Sequence, residues 1–70
     1  MQSDPLSLSF DELPRRMLLR PQEVAGFLNV SSRTIYRWYE LGIIEGTRLN
    51  RSVRIFRESV LKWVEEQKKE

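Results

Sequence analysis

A mostly α-helical fold carrying one small β-hairpin is what this sequence predicts. Three observations lead there. Apolar residues recur at helical spacing over "PQEVAGFLNV" and again over "SRTIYRWYEL", with about three residues between the two runs. After Gly42 the pattern shortens to "GTRL" and "VRIF" around "NRS". A third helical pattern, "ESVLKWVEEQKKE", follows. With 70 residues in all, the chain makes one small domain with a thin core. We divide it into an N-terminal arm, residues 1–18, and a folded domain, residues 19–70.

In the arm, "MQSDPLSLSFDELPRRML" has no sustained period. Ser9 and Glu12 have the spacing of a capping box, and Phe10 and Leu13 can anchor one helical turn near Phe10 to Arg16. Pro14 limits its length. The first long helix then starts at Pro21, since the missing proline N–H costs nothing at the first helical position. Glu23 favours the positive end of that helix. Val24, Ala25, Phe27 and Leu28 give it an apolar stripe, and Asn29 suits a left-handed turn.

Ser31 is a good N-cap for a second helix, residues 32–41, which Gly42 ends. Ile35, Trp38, Tyr39 and Gly42 share one face of it. Arg33, Tyr36, Arg37 and Glu40 share the opposite face. The hairpin pairs a run near Gly46 to Leu49 with Val53 to Phe56 across a three-residue loop, Asn50 to Ser52. In the last helix Val60, Leu61, Trp63 and Val64 form the buried arc. Lys62, Glu65, Glu66 and Lys69 form its wet face.

Composition removes several functions. There is no cysteine and no histidine, so a zinc finger, a cysteine redox centre and histidine acid–base chemistry are excluded. No phosphate-binding glycine loop or paired-carboxylate pocket is visible. We expect no enzyme activity and no cofactor. The N-terminus lacks the basic and apolar regions of a signal peptide, and no apolar run approaches the ~20 residues a membrane span needs. The expectation is a cytoplasmic protein without a membrane partner.

Charge is more informative than its net value of +2. Residues 31–57 carry six arginines against two glutamates, while the segments on either side each carry one more acid than base. The central cations are all arginine, whose planar fork suits phosphate and guanine.

Two helices joined by about three residues fit a helix-turn-helix. Ala25 is small where the helices must cross, and Val24, Leu28, Val30, Ile35 and Trp38 supply the core between them. In that motif the start of the second helix enters the major groove of DNA. Here that part consists of Ser32, Arg33, Thr34, Tyr36 and Arg37. The apolar set clamps the helix, and the polar set is left outward as a reading surface. Plainer roles stay open: Tyr36 can pack on the hairpin, and the arginines can be solvated surface charges.

The stretches "PQEVAGFLNVSSRTIYRWYELGII" and "RIFRESVLKWV" resemble the excisionase-type helix-turn-helix family, related to the DNA-binding domain of MerR-like regulators. The likeness runs from about Leu19 to Glu65, and "VSSRTIYRW" followed by "LGII" is its most typical part. It implies a winged fold of two helices, a β-hairpin wing at residues 46–56 and a third helix. It also implies that Ser32, Arg33, Tyr36 and Arg37 contact DNA, and that Arg48, Asn50, Arg51 and Arg54 lie along the phosphate backbone or in the minor groove. This chain departs from the pattern at Arg20, where the family often has a Ser or Thr cap. It departs again at Asn50-Arg51, where the wing commonly turns on Gly-Arg.

The expected function is sequence-specific binding of double-stranded DNA, as a small transcription regulator or an excisionase-like recombination accessory factor. Candidate protein partners are a recombinase or further copies of the chain on DNA. No long dimerisation helix follows the third helix, so the expectation in solution is a monomer. The alternative is a protein-interaction module on the same scaffold, docking through Phe10, Leu13, Met17 and Leu18 of the arm.

Overall fold

The computed structural model describes residues 15–68. In chain order the elements are β1 (Leu18–Leu19), α1 (Pro21–Leu28), α2 (Ser32–Leu41), β2 (Gly46–Leu49), β3 (Ser52–Phe56) and α3 (Arg57–Lys68). The expected capping box at Ser9 and Glu12 lies outside the described residues, as does most of the expected turn from Phe10 to Arg16. Arg15 to Met17 form a bend.

Helix α1 begins at Pro21, with Arg20 as its N-cap. An arginine side chain has no acceptor to offer the exposed N–H groups. Glu23 supplies the cap instead: its carboxylate accepts the Arg20 backbone N–H at 2.8 Å and also bonds the Arg16 guanidinium. The backbone hydrogen bond from Arg20 is the main cause that holds the Glu23 carboxyl below its ordinary value. Partial burial opposes it, and Arg16 reinforces it. At the other end Asn29 takes the left-handed conformation at φ 62°. Both its N–H and that of Val30 reach the Ala25 carbonyl.

Helix α2 is stopped at both ends as its sequence predicts. The Ser31 hydroxyl accepts the Thr34 N–H at 3.1 Å, and Gly42 turns left-handed at φ 78°. The Ile43 N–H then returns to the Trp38 carbonyl at 2.9 Å, closing the helix end.

The β structure is larger than a hairpin. Leu18 and Leu19, which the sequence reading did not assign to a strand, pair antiparallel with Phe56 and Ile55. The result is a three-stranded sheet in the order β1-β3-β2. The turn is also tighter than expected. Ser52 pairs with Leu49, so the loop is Asn50-Arg51 and not the three residues Asn50 to Ser52. Asn50 makes this possible by adopting φ 56°, a conformation asparagine tolerates well.

One core joins these parts. Leu19, Val24, Ile35, Ile44, Ile55, Val60 and Val64 are essentially inaccessible to solvent. Along β3, Val53 and Ile55 are buried while the alternate residues are not, as a half-buried strand requires. Trp38 of α2 and Trp63 of α3 pack with ring centroids 4.9 Å apart and planes tilted by 37°. Both indoles are half-buried against the core. Pairs of this geometry contribute roughly 0.5–1.5 kcal/mol beyond their buried area. This contact sets the back of α2 against α3 and leaves its other face free.

Candidate nucleic-acid interface

Ile35 is the only fully buried residue of α2, and it fixes the rotation of the helix. With Ile35 inward and Trp38 against Trp63, residues 33, 36 and 37 must point away from the body. Arg33, Tyr36 and Arg37 are all exposed, and 42% of the Tyr36 surface is accessible. Ser32 and Thr34 are half-buried at the first turn. The Thr34 hydroxyl is bonded to that of Ser31 at 2.9 Å. Thr34 therefore helps hold the cap and has less freedom than its neighbours to reach outward.

The wing residues divide into two sets. Arg48 is paired with Val53 and Thr47 with Arg54. Facing residues of a pair share a side of the sheet, and successive residues alternate. Arg48 and Arg54 therefore stand on opposite sides of the hairpin. Asn50 and Arg51 form the exposed tip. Arg54 is half-buried and donates one guanidinium N–H to the Val53 carbonyl at 3.0 Å. Most of its five donors are left for other acceptors.

Tyr36, Arg51 and Arg54 come together in a cleft of about 280 Å³, which Arg20 and Gln22 at the start of α1 complete. Among the described residues no carboxylate lines it, while three arginines do, and Glu23 is the acid that Arg20 interacts with. The sequence had marked Arg20 only as a departure from the family pattern. Gln22 was not marked at all, because a single glutamine at the second position of a helix carries no local signal. Only the fold brings it to the wing. Arg33, Arg37, Arg48 and Asn50 lie outside this cleft.

A family described as a helix-turn-helix domain matches residues 18–68. The chain belongs to this excisionase-like helix-turn-helix family. No curated protein and no solved structure matches it. Membership supports DNA as the partner in general terms, and such families are typically non-enzymatic. The match begins at the residue where β1 begins, so the third strand lies inside the family's span. Among the described residues no helix is long and apolar enough to cross a membrane.

Proposed function

We propose that this protein binds double-stranded DNA sequence-specifically, with α2 in the major groove and the β2–β3 wing against the backbone or minor groove. The observation that carries this reading is the rotation of α2. Its apolar side is held by Ile35 and Trp38, and the side left free is Arg33, Tyr36 and Arg37. Arg33 and Arg37, with Ser32 beside them, are suited to base edges, because arginine bonds guanine through two parallel donors. The arginine cleft beside Tyr36 is suited to a phosphate. Its cations and the Tyr36 hydroxyl would fix the register of the helix without reading sequence. Arg48 and Asn50 extend the basic surface along the wing.

The biological role we infer is that of a small transcription regulator or an accessory factor in recombination. A recombinase or neighbouring copies on DNA would then be its protein partners. Fluorescence anisotropy with random duplex DNA tests the reading, comparing wild type with Arg33→Ala/Arg37→Ala at low and near-physiological salt. Wild type should bind and weaken steeply as salt rises, because binding releases counterions. The double variant, lacking two cations of this face, should bind random duplex more weakly and with a shallower salt slope. Equal binding by the two proteins would contradict the placement of α2, and no binding at low salt would contradict DNA as the ligand.

A further inference from the structure

The side of the molecule behind α2 carries a second cleft, of about 500 Å³, between the 42–45 loop and α3. Ile43, Phe56 and Trp63 give it apolar walls, and Glu45, Glu58 and Glu66 surround them, with Lys62 the lining cation. Ile43 is 46% exposed, and the neighbouring Leu41 is 67% exposed. The loop that forms one wall is tied in place. The Glu45 N–H donates to the Ser59 hydroxyl at 2.7 Å, and the Glu45 carbonyl accepts the Phe56 N–H at 3.0 Å. The cleft is therefore formed before anything enters it, which lowers the ordering cost of binding.

Three glutamates against one lysine disfavour a polyanion here. Glu58 and Glu66 stand two helical turns apart on one face of α3, roughly 12 Å along the axis. Lys62 lies one turn from each but makes an ion pair with neither. Three carboxylates with no ion pair among the described residues, set around exposed apolar groups, match a segment that brings aliphatic side chains flanked by cations. Trp38 faces this side of the molecule through its contact with Trp63, whereas Arg33 and Arg37 face the other.

We propose that this cleft docks a basic amphipathic helix from a different protein. Leucine-type side chains would enter between Ile43 and Trp63, and lysines or arginines spaced about two turns apart would meet Glu58 and Glu66. The inference goes beyond DNA binding and does not depend on it.

The test is a titration of the 15N-labelled full chain, followed by NMR. The probe is a 15-residue alanine-based helical peptide with lysines at positions i and i+7 and leucines at i+3 and i+4. A second peptide carries glutamates in place of the lysines. Saturable shifts at the amides of Ile43, Glu45 and Lys62 and at the Trp63 indole are expected with the first peptide only. Glu58→Lys/Glu66→Lys should weaken binding at least tenfold. Ile43→Ser, at a position exposed enough to leave the fold intact, should weaken it at least threefold. Circular dichroism confirms that each variant is folded. Absence of saturable binding, shifts centred elsewhere, or affinity unchanged in both variants would overturn the proposal. So would shifts at Ile43 and Trp63 on simple dilution of the protein, because these would assign the cleft to a second copy.

Discussion

The two clefts of this small domain are opposites. The one between α1, Tyr36 and the wing is lined by Arg20, Arg51 and Arg54 and by no carboxylate. The one behind α2 has Glu45, Glu58 and Glu66 around apolar walls, with a single lysine. A net charge of +2 conceals this separation. A potential with two signed faces can steer a polyanion to one side and keep it off the other. The difference shows that two faces of one small domain can carry opposite local charge, so each suits a partner of a different sign. It also shows why α2 matters, since it is the element that stands between them.

Removing what holds α2 should disturb both faces most. Ile35→Ala empties a fully buried site and should cost about 2–5 kcal/mol. That is a large part of the stability of so small a domain. Chemical denaturation followed by circular dichroism should show the loss, and the variant should lose function on both faces.

A smaller and more local disturbance is Gly46→Ala. A Cβ at this position would lie 2.2 Å from the Arg54 carbonyl oxygen and 3.0 Å from the Ile55 Cα. These are backbone atoms that cannot move aside cheaply. The substitution should cost roughly 1–3 kcal/mol and displace the wing. It should weaken DNA binding more than peptide binding, as anisotropy and NMR titration can compare.

The basic face itself can be dissected. Arg33→Ala should reduce discrimination between a preferred and a scrambled duplex by about 1–3 kcal/mol, whereas Arg51→Ala should weaken all duplexes alike and lower the salt slope by about one. On the opposite side, Glu58→Lys/Glu66→Lys should leave discrimination between the two duplexes nearly unchanged and raise affinity for both at low salt, a gain that fades at physiological salt, where the screening length is about 8 Å. Anisotropy at several salt concentrations measures both effects.

The smallest expected effect concerns Glu23. Its carboxyl is held below its ordinary value by the Arg20 N–H first and Arg16 after it. The folded state therefore gains stability from the ionised group above the unfolded value, near 4.5, and loses it as pH falls through the lowered folded value. Because the pair is partly solvated, the loss should be under about 1 kcal/mol. Glu23→Gln should flatten the acid limb of the melting temperature against pH.

Much of this architecture was legible in the sequence, and the reasons are local. Pro21, Asn29, Ser31 and Gly42 each stand where a helix must start or stop, and each acts through its own backbone or its nearest neighbours. The free face of α2 followed from helical period alone. Three features were not legible. β1 is a strand only because β3 offers it a partner, and Leu18-Leu19 has no period to detect. Ser52 joined the ladder because Asn50 could take a left-handed conformation, a choice that composition leaves open between a two- and a three-residue loop. The two clefts join residues distant in the chain, such as Gln22 with Arg51 and Glu45 with Glu66. Such groupings follow from packing and leave no mark on any one segment.

In the proposed binding mode α2 reads sequence while the wing supplies charge. The most direct test is competition between a selected site and a scrambled duplex at fixed salt, for wild type, Arg33→Ala/Arg37→Ala and Arg48→Ala/Arg51→Ala. The helix variant is expected to lose the preference for the selected site. The wing variant is expected to keep that preference while binding both duplexes more weakly. If the wing variant loses the preference and the helix variant keeps it, α2 is not the reading element.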